Sequence, residues 1–275
     1  MFSIEPVSGA LGGLVKDIDL CQPLKDNEIA FIKEALHQYQ VLFFRDQPLG
    51  PDEHVRLARY FGDLQSHAAY DHLEGYPELT ILENDLARPP KIEKWHSDMT
   101  FRPCPPIGSI LHAIVIPGKG GDTMFSSMSA AFEALSQKMQ SFLSELIAIH
   151  DFSHGFKESI AELGGRDRLQ QMIEDNPPVE HPVVRVHPET NKKGLYVNSL
   201  FTLRIKDMRE SESRALLDFL FEHIALPEFT CRFKWGINSV AFWDNRHTQH
   251  KPVNDYWPGE RRMQRITIED GQRPF

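Results

Sequence analysis

The chain has 275 residues, 41% apolar, 25% charged and 10% aromatic, which is enough apolar material for a large core and unlike a disordered composition. A formal net charge of -9 argues against a general nucleic-acid or anionic-membrane surface, so any anionic ligand must meet a local cluster of cations. At roughly 150 residues per domain the length suggests about two domains, although one elaborated β-domain of this size is common. Three cysteines (Cys21, Cys104 and Cys231) are widely spaced, do not make a disulfide framework, and point to a reducing cytoplasm. Glu5, Lys16, Asp17 and Asp19 interrupt any leader-like apolar stretch, and no run approaches the ~18 apolar residues of a membrane helix. The unusual feature of the composition is its 13 histidines.

In chain order, residues 3–7 and 14–18 read as short strands split by Gly9, Gly12 and Gly13. A helix follows from Asp26, taken as its N-cap, with Ile29, Ile32, Leu36 and Tyr39 at helical spacing. Residues 41–44 form a buried apolar strand, and a second helix begins near Pro51 and ends by Gly62. The pattern then turns to β, with strands expected over 79–82, 94–101, 109–116 and 123–126. Residues 127–149 read as two helices, the second capped near Ser136. Residues 151–180 are polar and helical in places, an insertion that could cover a site. Strands resume at 183–186, 195–198, 229–234, 240–244 and 262–268, with a helix around 213–224. The absence of a regular βαβ alternation predicts a mainly β fold with helical insertions, a β-sandwich or jelly roll.

Three His-x-acid patterns occur, at His72-Leu73-Glu74, His96-Ser97-Asp98 and His187-Pro188-Glu189, against roughly two expected by chance. Only His96 and Asp98 fall on an expected strand, where positions i and i+2 share a face and could converge on one ion; the competing account is a surface pair. Downstream, Trp243-Asp244-Asn245-Arg246 ends an apolar strand before His247 and His250. A histidine from there would complete a two-histidine, one-carboxylate set, although a lone loop histidine is more often solvated. If residues 261–268 form a strand, Arg261, Met263 and Arg265 share one face. Two inward arginines are costly unless anions meet them; otherwise they belong to an exposed edge strand.

Together, Trp95-His96-Ser97-Asp98, Gly120-Gly121-Asp122-Thr123, Trp243-Asp244-Asn245-Arg246…His250 and Asp255-Tyr256…Arg261…Arg265 resemble the taurine dioxygenase group of iron(II)/2-oxoglutarate-dependent oxygenases. Further likenesses are Leu42-Phe43-Phe44-Arg45-Asp46-Gln47, Phe61-Gly62-Asp63-Leu64 and Gly271-Gln272-Arg273-Pro274-Phe275, so the resemblance spans nearly the whole chain as a single domain. It implies a double-stranded β-helix in which His96, Asp98 and His250 bind iron(II). Thr123 and Arg261 would then hold the distal carboxylate of 2-oxoglutarate, with O2 as the second cosubstrate. By the same resemblance Arg265 meets the anionic head of a small organic substrate, His67 and Tyr70 assist it, and Phe101 forms an apolar wall.

One position departs from the family. Four residues before the first metal ligand, taurine-type enzymes carry a substrate-contacting asparagine, and here the residue is Ile92. An apolar side chain cannot replace those hydrogen bonds, which favours an anion with a more apolar body than taurine. A longer alkyl sulfonate, an alkyl sulfate or an aryloxyalkanoate would fit, hydroxylated next to its heteroatom. Family resemblance also implies a homodimer or homotetramer. The rivals from other classes are a metal-dependent hydrolase, which has no use for the Thr123/Arg261 pair, and a catalytically silent jelly-roll binding protein.

Overall fold

The computed structural model describes residues 2–66 and 71–275. The chain opens with β1 (Ser3–Pro6), β2 (Gly13–Lys16), α1 (Asp26–Tyr39), β3 (Val41–Phe44) and α2 (Pro51–Arg59). Next come β4 (Leu64–Gln65), β5 (His72–Leu73), β6 (Tyr76–Asn84), β7 (Gly108–Val115) and β8 (Thr123–Ser127). A mixed stretch holds α3 (Met128–Glu133), α4 (Gln137–Leu143), β9 (Ile147–His150), α5 (Phe152–Gly155), α6 (Lys157–Ala161) and α7 (Gly165–Asp175). Then follow β10 (Val179–Pro182), β11 (Val184–Val186), β12 (Lys193–Leu195), β13 (Thr202–Ile205) and α8 (Glu210–His223). The last strands are β14 (Thr230–Phe233), β15 (Val240–Asp244), β16 (Thr248–Pro252) and β17 (Arg261–Ile268).

The fold is mainly β with helical insertions. A nine-stranded sheet runs β1-β2-β3-β15-β7-β17-β6-β5, with β4 pairing β17, and a three-stranded sheet runs β14-β8-β16. All its pairings are antiparallel except β2 with β3. Period-two alternation sorts the apolar runs of the large sheet onto two cores. Leu42, Phe44, Ile110, Val240, Phe242 and Ile266 pack with Ile32 and Leu36 of α1 and Val55 and Leu57 of α2. Val41, Phe43, Leu111, Ala241, Trp243 and Met263 point the other way, onto Phe125 of β8 and Cys231 and Phe233 of β14. Strands buried on both faces read as unbroken apolar runs, which explains Val41-Leu42-Phe43-Phe44. Among the described residues no helix is long and apolar enough to cross a membrane.

Several sequence-based expectations are corrected. Residues 94–101 are not a strand: only an isolated bridge between His96 and His250 forms there, and Met99 turns the chain at a φ of 53°. Residues 147–149 are not helical but belong to β9, whose alternation buries Ala148 and His150. The insertion is helical only through α7, because Val179–Pro182 pairs with β9. The cap of α1 is Lys25, whose backbone N–H is accepted by Glu28 Oε2 at 2.7 Å, and Asp26 is already helical.

Ile110 lies fully buried at the centre of the helix-facing core. Ile110→Ala is expected to lower unfolding stability by about 2–5 kcal/mol, measured by urea titration, because the neighbouring strands and helices cannot collapse onto the space left.

Candidate active site and metal centre

The site forms where the two sheets meet. His250 comes from β16, and His96 and Asp98 come from the loop before β7, stitched to β16 by His96 N–H to His250 O (3.1 Å) and His250 N–H to His96 O (2.8 Å). One ligand atom from each of His96, Asp98 and His250 lies within 4.8 Å of the others, and all three residues are buried. Asp98 Oδ1 is 3.8 Å from His96 Nε2 and 3.9 Å from His250 Nε2, too far for hydrogen bonds, so the donors converge without satisfying one another. His96 Nδ1 meets Lys94 O at 2.9 Å, which places its proton there and leaves Nε2 a lone pair. Trp243 packs against the His250 ring at 4.8 Å. Two imidazole nitrogens and one carboxylate oxygen suit a divalent transition metal with open coordination positions.

Electrostatics keep these donors in their ligating forms. Burial pushes His250 down to about 3, helped by His96 beside it, and also lowers His96. Burial alone would raise the Asp98 carboxyl, but Arg265, His250, His96 and the Ser109 hydroxyl together hold it down at about 2. Arg265 NH1 stands 3.2 Å from Asp98 Oδ1, and Ser109 Oγ donates to Oδ2 at 3.0 Å. The face shared by Arg261, Met263 and Arg265 is therefore inward, and Arg265 already meets a carboxylate there.

Arg261 differs. Its Nε donates to Gly121 O at 3.1 Å, fixing the guanidinium plane, and burial lowers its pKa. No carboxylate of the described residues pairs with it. Asp122 acts on it only through space, its Oδ2 being taken by Arg232 Nε at 2.7 Å. A buried guanidinium with no carboxylate bonded to it is a strong local sign of an anionic ligand. Thr123 stands in the same cleft, and its Oγ1 accepts from Trp235 Nε1 at 3.0 Å, which leaves the hydroxyl proton available to a ligand.

The cleft encloses about 1080 Å³ and brings His96, His250, Thr123, Arg261, Arg265 and Ile92 onto one wall system. Phe156 and Leu169 from the helical insertion line it too. Glu162 of the insertion bonds Lys91 at 2.6 Å and Arg168 at 3.2 Å, tying the insertion to the loop before His96. Phe101 does not line the cleft: it lies behind it among Phe152, Phe156 and Phe201. His67 and Tyr70 fall outside the described residues.

Sequence reasoning passed over Ser109, Trp235 and Asn245. Nothing in the sequence distinguishes the first two, since a strand serine and a tryptophan are ordinary core residues. Asn245 sat inside a quoted motif, but its partner lies 147 residues away in the chain.

Residues 3–267 match the sequence model described as "Taurine catabolism dioxygenase TauD, TfdA family". The chain belongs to that family. It is 35% identical over 269 residues to an alkylsulfatase of Acinetobacter baylyi, covering 96% of this chain and 84% of that one. It is also 31% identical over 274 residues to the alpha-ketoglutarate-dependent 2,4-dichlorophenoxyacetate dioxygenase of Cupriavidus pinatubonensis, covering 93% of each. A putative alpha-ketoglutarate-dependent taurine dioxygenase from Burkholderia xenovorans superposes with a TM-score of 0.86 at 37% identity, over 100% of this chain and 91% of that one.

Buried neutral histidines set the acid limit of this dioxygenase-family fold. Burial pushes His54, His247 and His250 to about 3 and His112 and His181 to about 4, against 6.5 for a free imidazole. Below pH 6.5 the unfolded chain takes up protons that the folded chain refuses until about 3–4, so stability falls as pH drops through that window. Melting temperatures of metal-free protein between pH 7.5 and 5, run with a chelator, should decline steadily.

Proposed function

We propose that this chain is an iron(II)- and 2-oxoglutarate-dependent dioxygenase that hydroxylates a small organic anion next to its heteroatom, an alkyl sulfonate or sulfate. The observation that carries the proposal is the convergence of His96, Asp98 and His250, with both imidazoles lining the cleft that also holds the buried Arg261, which no carboxylate of the described residues bonds. Bound iron(II), with 2-oxoglutarate and O2, supplies oxidation coupled to decarboxylation of the cosubstrate to succinate and CO2.

The chain's own residues bind, orient and shield. His96, Asp98 and His250 hold the metal, with both imidazoles neutral and the carboxylate ionised. Arg261 offers a planar two-nitrogen fork to the distal carboxylate of 2-oxoglutarate, and the Thr123 hydroxyl donates to the same group. Arg265, beside the metal ligand Asp98, takes the anionic head of the substrate, assisted by His67 and Tyr70. Ile92 and the insertion face the substrate body, and residues 151–180 act as a cover that excludes water. Hydroxylation of the carbon bearing sulfonate or sulfate gives an adduct that collapses to an aldehyde plus sulfite or sulfate. The fold in this proposal is one double-stranded β-helix domain over residues 1–275, in a cytoplasmic homodimer or homotetramer.

A second reading, ether cleavage of an aryloxyalkanoate, is favoured by the likeness to the dichlorophenoxyacetate enzyme and by apolar Ile92 at the cleft. Substrate-dependent succinate release across sulfonates, sulfates and aryloxyacids separates the two. Coupling best to taurine would contradict the role given to Ile92.

Anaerobic addition of iron(II) and 2-oxoglutarate should produce a visible metal-to-ligand charge-transfer band, abolished in His96→Ala, Asp98→Ala and His250→Ala. No band, together with activity that survives removal of oxygen, would refute the dioxygenase reading. Arg265 also pairs with Asp98 at 3.2 Å, so the conservative Arg265→Lys, which keeps a cation there, is the variant to use. The band should persist while the preference among anionic substrates weakens at least about tenfold in kcat/KM, and an unchanged preference would overturn the substrate role of Arg265.

A further inference from the structure

Asp98 is a metal ligand on a segment with almost no ladder. Its only neighbouring bridge is His96 to His250, and the next residue, Met99, sits at a φ of 53°, a left-handed conformation that non-glycine residues adopt sparingly. A buried loop of this kind needs partners for its backbone polar groups from elsewhere. Both backbone groups of Asp98 find theirs on one side chain. The Asp98 N–H donates to Asn245 Oδ1 at 2.6 Å, and Asn245 Nδ2 donates to Asp98 O at 2.9 Å. The same Nδ2 also donates to Pro106 O at 3.2 Å, on the far side of the loop. The Asn245 carboxamide thus takes the place of a neighbouring strand, and it is fully buried.

Asn245 is itself held firmly. It follows β15 directly, and its N–H donates to Ile107 O at 2.7 Å. The residues on either side lock together: Arg246 Nε meets Asp244 Oδ1 at 2.9 Å and Arg246 NH2 meets Oδ2 at 2.7 Å, a bidentate pair. His187 Nε2 adds a contact to Asp244 Oδ2 at 2.9 Å. Burial opposes charge on Asp244, yet Arg246 and His187 outweigh it and keep the carboxyl ionised. The Trp243-Asp244-Asn245-Arg246 segment is therefore a rigid turn that presents one carboxamide to the loop.

We infer that Asn245 is a positioning residue that sets where the Asp98 carboxylate stands relative to His96 and His250, and so controls metal affinity and coordination geometry. Ser109 and Arg265 act on the carboxylate itself; Asn245 acts one step back, on the backbone that carries it. A carboxamide offers an acceptor and a donor at this spacing without carrying charge; alanine offers neither, and an ionised aspartate offers no donor and sets a second negative charge against the Asp98 and Pro106 carbonyls. The inference rests on the metal role proposed for the triad.

The test uses the whole protein: anaerobic iron(II) titration, and the visible spectrum of the cobalt(II)-substituted form. Asn245→Ala and Asn245→Asp should each raise the iron(II) dissociation constant by about 10–100-fold and alter the cobalt(II) spectrum. Leu217→Ala, a cavity in α8 within a core cluster that includes none of the three ligands, should lower the melting temperature with the dissociation constant and spectrum unchanged. If Asn245→Ala does not fold, the isosteric Asn245→Asp carries the comparison at about pH 8, where its ionised form keeps the acceptor for Asp98 N–H but replaces the donor with a charge facing two carbonyls. A folded variant at Asn245 with parental iron affinity and cobalt spectrum overturns the inference and leaves the metal site standing. A parent protein that takes up no iron(II) overturns both.

Discussion

An ionised carboxylate, Asp98, lies nearly dry between two sheets, and its charge must be balanced where it sits. Burying such a group alone costs far more than folding can supply, so the surrounding structure has to provide compensation. Arg265 from β17, Ser109 from β7 and two imidazoles surround it, each from a different part of the chain. The large sheet brings β7 and β17 side by side, and β16 enters from the small sheet. The same contacts that make Asp98 tolerable as a buried anion also leave one of its oxygens facing two neutral nitrogens. Stability and metal binding are met by one arrangement.

Charge bookkeeping over the whole molecule hides this arrangement. The chain is acidic overall, yet two arginines on one face of β17 point inward within the cleft. Arg265 is balanced internally by Asp98 and Arg261 is not, although they lie four residues apart on the same strand face. That asymmetry separates a cation beside Asp98 from one anchored on Gly121 O. Under the proposed function a dicarboxylate cosubstrate and an anionic substrate would each meet a different positive group.

The buried histidines follow similar logic. Of the 13, many occupy positions with no access to the metal; they are neutral polar residues that satisfy backbone carbonyls, as His54 does with Ile110 O and His181 with Thr100 O. His150 and Asn198 both meet Thr100 Oγ1, so the loop carrying His96 and Asp98 is buttressed from the β9 side as well as from β15. A segment that carries candidate metal ligands in a loop conformation is held in place by side chains arriving from both layers.

By itself the sequence determined which stretches are strands buried on both faces, because period-two alternation and unbroken apolar runs are local properties; Val41–Phe44 and Val240–Asp244 appear with the boundaries their patterns give. It also marked His96, Asp98, His250, Thr123, Arg261 and Arg265, through motif order along the chain. The tertiary structure alone decided three matters. Residues 94–101 have an alternating pattern yet form a loop, because their backbone partners are the side chains of distant residues such as Asn245. Phe101 packs into an aromatic cluster with Phe152, Phe156 and Phe201, of which Phe156 lines the cleft, a placement that strand alternation cannot give for a segment that is not a strand. Which of two similar arginines has a carboxylate partner depends on a contact between residues 167 positions apart, a relation that no local pattern encodes.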